Sequence, residues 1–189
     1  MDFVEIDLSK LTGNEDKKGP FDKMVPIVYS NQVYDGYLSG PIEEPNEYDE
    51  LCYVLDHAEC DTRVVLHINT AGGHIDSALK LIASIKRCRA DVTARLTGTV
   101  ASAGTIIALS CHKLEVEDYT HFMIHNYSTG TQGKGHEVMD YINFNDKDLK
   151  KTFASIYDGF LTETEIADVI RGKDMWLDAE DVRDRWETK

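Results

Sequence analysis

One rhythm constrains this chain more than anything else in it: twice, a short apolar run ends in glycine and passes directly into a segment of helical periodicity. "RVVLHIN" (63–69) is β-branched and apolar. It leads through "TAGG" into Ile75–Arg87, where Ile75, Ala78, Leu79, Ile82 and Ile85 share one helical face. "DVTARLTG" (91–98) leads in the same way into a short apolar helix over 103–110. Strands that read as near-continuous apolar runs and return through helices belong to a parallel sheet covered by helices. The fold class expected is α/β, with a mainly parallel sheet flanked by helices.

The rest of the chain extends this pattern. "MVPIVY" and "VYDGYLSG" predict strands, 47–60 a helix, and "THFMIHN" (120–126) a further strand. A Gly-rich loop, "STGTQGKG" (128–135), precedes a long helix over 136–160 that carries Val138, Ile142, Leu149, Phe153, Ile156 and Phe160 at helical spacing. Thr162 and Glu165 form a capping box for a short helix that Gly172 stops. "KDMWLD" (173–178) then predicts a strand, and a last helix starts at Asp178. Residues 10–23, "KLTGNEDKKGPFDK", are polar and broken by Gly and Pro, so 1–23 are expected to form a flexible arm and 24–189 a single domain.

Charge and composition exclude several partners. With 34 acidic and 20 basic side chains the net charge is -14, which repels a nucleic-acid backbone or an anionic membrane surface. Neither is expected as a partner. The start "MDFVEIDLSK" lacks the basic and apolar stretches of a signal peptide, and no run approaches the roughly 20 apolar residues of a membrane span. A cytoplasmic location is expected. Cys52, Cys60, Cys88 and Cys111 show neither zinc-site spacing nor disulfide-scaffold density, so they are expected to be buried thiols, with no metal and no cofactor.

Two turns are candidates for chemistry. In "HINTAGGHID" (67–76) the consecutive Gly72 and Gly73 between strand and helix aim backbone N–H groups and a helix N-terminus at whatever lies above, unless the turn is merely tight. The stretch lacks both nucleotide-loop spacings. In "GTVASAGTIIAL" (98–109) Ser102 stands at a helix start among small residues, either as an N-cap or as a nucleophile beside the positive end of the dipole. Val100 occupies the first glycine position of the G-x-S-x-G elbow. His125, at the end of its strand, is the candidate base, because chemistry in open α/β sheets gathers at that edge. His67 in mid-strand reads as a hydrogen-bonded core residue. Asp174 is the candidate third member, chosen from many acids.

Taken in order, "GPIEEPNEYDELCYVLD", "LHINTAGGHIDSALKLIASI", "GTVASAGTIIAL", "FMIHN", "GTQGKG" and "KDMWLDAED" resemble the ClpP serine peptidase family across nearly the whole chain from Met24. The resemblance implies a ClpP/crotonase-like fold whose long helix protrudes as a handle. It implies Ser102 as nucleophile, His125 as general base and Asp174 as the supporting acid, with the N–H groups of Gly73 and Ala103 as the oxyanion hole. Gly72, and Ser128 and Gly130 in the loop 128–133, fall in segments that bind an extended substrate chain. Peptides and unfolded proteins are the implied substrates, heptameric rings stacked as a tetradecamer the implied assembly, and an AAA+ unfoldase the implied partner. ATP itself is not expected to bind this chain. Viral head-maturation proteases of the same superfamily, which work without an unfoldase, and catalytically silent ring subunits are the alternatives. Thr70–Ala71 replaces the family's usual Ser-Pro, Tyr127 follows "MIHN", and the sequence ends at "VRDRWETK" without a Gly-Leu-x-Asp strand.

Overall fold

The computed structural model describes residues 27–30 and 32–189; the arm placed at 1–23 lies outside the described residues. The elements in chain order are β1 (Ile27–Ser30), β2 (Val33–Ser39), α1 (Asp49–His57), β3 (Arg63–Thr70), α2 (Ile75–Arg87), β4 (Asp91–Ala101) and α3 (Ala103–Leu109). They continue with β5 (Lys113–Val116), β6 (His121–Ile124), α4 (Gly135–Tyr157), α5 (Glu163–Ile170), β7 (Met175–Leu177) and α6 (Ala179–Glu187). A 3-10 turn, Pro45–Tyr48, leads into α1.

The seven strands among the described residues share one sheet in the order β1-β2-β3-β4-β6-β7, with β5 also paired to β4. The contacts of β2 with β3, and of β4 with β3, β5 and β6, are parallel; the hairpin β1–β2 and the pair β6–β7 are antiparallel. Val64, Val65 and Leu66 are all essentially buried, so both faces of β3 are covered, as the apolar run requires. Gly36 lets α1 settle on the sheet: a Cβ there would lie 3.2 Å from both Leu51 and Leu66.

Two strand readings change. β4 runs past Gly98 to Ala101, because that glycine, at φ +61°, makes a bulge and not an end. Pairing shifts from Ile68–Leu96 to Thr70–Val100 around it, and the Asn69 side chain accepts a hydrogen bond from the Thr99 amide. The bend divides one edge of β4, whose first half pairs with β5 and whose end pairs with β6. β5 was not expected; "KLEV" is too short to show a period. The long helix stops at Tyr157, not Phe160, because Gly159 takes φ +75° and turns the chain, leaving Phe160 buried against Phe122. Its N-terminal half exposes Met139, Tyr141 and Phe144.

The expected capping box of α5 is present, with Thr162 accepting from the Glu165 amide and Glu165 accepting from the Thr162 amide. Glu165 also takes a two-pronged hydrogen bond from Arg185 on α6, at 3.0 and 2.8 Å. That guanidinium, more than the cap, holds the Glu165 carboxyl down at about 2, below its ordinary value of 4.5. A lowered carboxyl contributes stability above its unfolded pKa and loses it as the pH falls through the folded one. Glu165→Gln should therefore cost roughly 1–2 kcal/mol near neutrality, allowing for screening of a partly exposed pair. In thermal melts the gap from the parent should shrink between about pH 4.5 and pH 2.

Candidate functional site

The end of β3 and the end of β4 are parallel neighbours, so the two turns singled out in the sequence meet. They meet closely. A Cβ on Gly72 would lie 2.6 Å from Ser102 Cβ, 2.9 Å from the Ala101 oxygen and 3.0 Å from the Ala103 nitrogen, and no side chain fits there. A Cβ on Gly73 would lie 2.1 Å from the Ile42 oxygen. Ile42 forms a bridge with Gly73, its amide donating to the Gly72 oxygen at 2.9 Å and its oxygen accepting from the His74 amide at 2.9 Å. With φ +95° and +152°, both positions are open to glycine and strained for any other residue.

Ser102 has φ +52° and ψ -122°, a conformation that L residues rarely hold and that costs on the order of 1–3 kcal/mol. Its side chain makes no cap hydrogen bond. The N-cap reading therefore fails, and the residue forms a strained strand-to-helix elbow despite lacking the first glycine of that motif. Its amide donates to the Met123 oxygen at 2.9 Å and its oxygen accepts from the Thr105 amide at 2.9 Å, so neighbours on both sides fix the turn. Ala103 is the first residue of α3, where an amide has no acceptor within the helix. Among the described residues, neither the Ala103 nor the Gly73 amide donates a hydrogen bond.

Ser102, Ala103, Gly73, His125, Ser128 and Gly130 line one cleft of about 530 Å³. Its other wall comes from α4, through Tyr141, Phe144, Asn145, Asp148, Leu149 and Phe153. Leu149 and Phe153 read in the sequence only as part of the helix's apolar stripe and the other four carry no assignment; Tyr141 and Phe144 lie off that stripe, and that was the available signal. His74 and Asp76 at the start of α2 also face the cleft, and His74 pairs with Glu44 at 3.4 Å. Ser128 and Gly130 lie in an exposed loop anchored at Asn126, whose side-chain amide donates to the Ile170 oxygen at 3.0 Å.

Asp174 does not line this cleft. It is exposed and immediately precedes β7. The β6–β7 register ends with Ile124 paired to Met175, and positions 125 and 174 directly adjoin that pair. Among the described residues no hydrogen bond joins the side chains of Ser102, His125 and Asp174. The sheet brings the three to one end, and the single chain leaves their side chains apart. His67 bonds Asp35 at 2.8 Å and stacks on Tyr37; it is half-buried, not a core residue. The cysteines are unpaired thiols; Cys52 and Cys111 are buried, but Cys60 is exposed and Cys88 half-buried, contrary to expectation. Among the described residues no helix is long and apolar enough to cross a membrane.

Comparison with known proteins places these features in a family. The Clp protease family model matches residues 38–184, which include both turns, β6 and β7. The ATP-dependent Clp protease proteolytic subunit of Streptococcus suis is 32% identical over 112 residues, 56% of this chain and 57% of that protein. The ATP-dependent Clp protease proteolytic subunit 1 of Chlamydia pneumoniae is 26% identical over 156 residues, 78% of this chain and 81% of that protein. The matched span runs from the end of β2 into α6, and the chain belongs to the Clp protease family.

Proposed function

We propose that this protein is a serine endopeptidase that cleaves short or unfolded polypeptides, with Ser102 as nucleophile. The observation that carries the reading is the strained Ser102 elbow, whose uncapped hydroxyl shares a cleft with His125 and with the unbonded amides of Gly73 and Ala103. A serine held in a costly conformation with a free hydroxyl beside a histidine and two spare donors has the parts that acyl transfer needs.

In this mechanism a peptide carbonyl enters over the Gly72–Gly73 turn, and Ser102 Oγ attacks its carbon while His125 takes the proton. The negative charge that forms on the oxygen is met by the Gly73 and Ala103 N–H groups. Asp174 orients the imidazole and stabilises its charged form. His125 then returns the proton to the departing amine, and water releases the acyl group by the same steps. Asp174 and His125 come into contact by side-chain rotation, which their places on either side of the last pair of the β6–β7 ladder, Ile124 with Met175, support. Loop 128–133 and Gly72 bind the substrate main chain, so sequence preference is broad.

The exposed apolar face of α4, with Met139, Tyr141 and Phe144, supports assembly of 24–189, as one domain, into rings stacked through this helix. The Streptococcus and Chlamydia relatives are named as ATP-dependent proteolytic subunits, which supports a cytoplasmic assembly fed by an AAA+ unfoldase.

Ser102→Ala should lower hydrolysis of a fluorogenic peptide by about 10⁴-fold or more without changing the size of the assembly. Retained cleavage would remove Ser102 from the mechanism. In sizing chromatography coupled to light scattering the protein should run as a large ring species that carries the peptidase activity. A strict monomer with full activity would rule out the chamber.

A further inference from the structure

One buried hydroxyl pair is left unused by the mechanism above. Tyr157 closes α4 and is 1% exposed; Thr105, on the first turn of α3, is 0% exposed. Their hydroxyls lie 2.6 Å apart. Thr105 Oγ1 also donates to the Ser102 carbonyl at 2.7 Å. With that proton committed, the Tyr157 hydroxyl is the donor in the pair, and the chain of bonds runs Tyr157 to Thr105 to the Ser102 oxygen. Burial drives the Tyr157 phenol upward, so it stays protonated through the neutral range and the direction of the chain does not change with pH there.

The carbonyl at the end of this chain belongs to the peptide unit whose nitrogen is Ala103. That unit is planar and trans, so its C=O and N–H point in opposite directions. Whatever fixes the Ser102 oxygen also fixes the direction of the Ala103 N–H, which faces away from Tyr157. Ala103 lines the cleft. The carbonyl accepts two donors, the Thr105 amide at 2.9 Å and the Thr105 hydroxyl at 2.7 Å, at the residue whose φ of +52° most needs holding. The amide bond is ordinary for a helix start. The hydroxyl bond, polarised by Tyr157 across a separation of 52 residues in sequence, is specific to this pairing of side chains.

We infer that Thr105 and Tyr157 are positioning residues, which clamp the Ser102–Ala103 peptide so that the Ala103 N–H meets the developing oxyanion. The inference rests on the serine peptidase reading. The clamp touches neither substrate nor the reacting atoms. Its effect is on the transition state, where an oxyanion donor must already be aimed, and little on ground-state binding.

The test compares Tyr157→Phe, Thr105→Val and Thr105→Ser in the assembled full-length protein. Peptide hydrolysis is measured alongside inhibition by a peptide boronate, whose tetrahedral adduct places an oxygen where the oxyanion forms. Removing one oxyanion donor outright costs about 10²–10³-fold, so loosening one should lower kcat by roughly 10–100-fold. KM should stay within about twofold, and boronate affinity should fall in step with kcat. Thr105→Ser, which keeps the hydroxyl, should recover most of the kcat that Thr105→Val loses. Thermal melts identify any variant that fails to fold, and the near-isosteric Tyr157→Phe then carries the test. Parental kcat and boronate affinity in folded Tyr157→Phe and Thr105→Val, with or without a lower melting temperature, would overturn the inference and make the pair a core hydrogen bond. A parent protein that neither hydrolyses peptides nor binds the boronate would overturn the peptidase reading, and the clamp with it.

Discussion

Everything at this site depends on two backbones passing closer than any side chain permits. The turn after β3 lies so near the elbow after β4 that a single methyl group on Gly72 would occupy the space of Ser102 and the Ala103 amide. The approach is reinforced from below, where Gly104 faces Thr70 with room for no Cβ: one would lie 2.5 Å from the threonine methyl. It is also held from the side by the bridge between Ile42 and Gly73. Van der Waals exclusion thus sets the geometry, and the parallel pairing of β3 and β4 delivers both turns to the same end of the sheet.

The strained conformation of Ser102 persists because its neighbours determine it from both sides. Its amide is bound to β6 through Met123, and its carbonyl is held by Thr105. The strand that restrains the serine ends directly before His125, and β7, paired to it, begins directly after Asp174. A displacement of β6 would therefore disturb the elbow and the histidine together. In the proposed mechanism the last link, from histidine to acid, is left to side-chain rotation. In an assembly stacked through α4, subunit contacts on the exposed aromatic face would act on the far wall of the same cleft.

Much of this was legible in the residues, and the illegible parts have physical reasons. The apolar runs at 63–69 and 91–98 and the helical spacing after each specify the core strands and their parallel crossovers, because burial on both faces leaves no other pattern open. Gly98 reads as a strand end in the sequence because a bulge and a stop both use a glycine at positive φ, and pairing with β6 decides between them. The serine at a helix start suited an N-cap equally well on paper; its backbone angle and idle side chain separate the two, and neither is a local property of the sequence. The polar and aromatic residues of α4 that line the cleft, Tyr141, Phe144, Asn145 and Asp148, were hidden by a helix pattern that speaks only for its buried stripe. Asp174 is marked in the sequence only weakly, by its place between the Gly172 stop and a strand, and the resemblance adds the rest, since an exposed carboxylate in a chain this acidic carries little signal of its own.

The most direct measurement is covalent labelling of the assembled protein with a fluorophosphonate, with the adduct located by peptide mass spectrometry. The account predicts one adduct, on Ser102, whose formation rate falls in parallel with peptidase activity when His125 is replaced by alanine. An unmodified Ser102 in protein that hydrolyses peptides, or an adduct on another residue that accounts for the loss of activity, would contradict it.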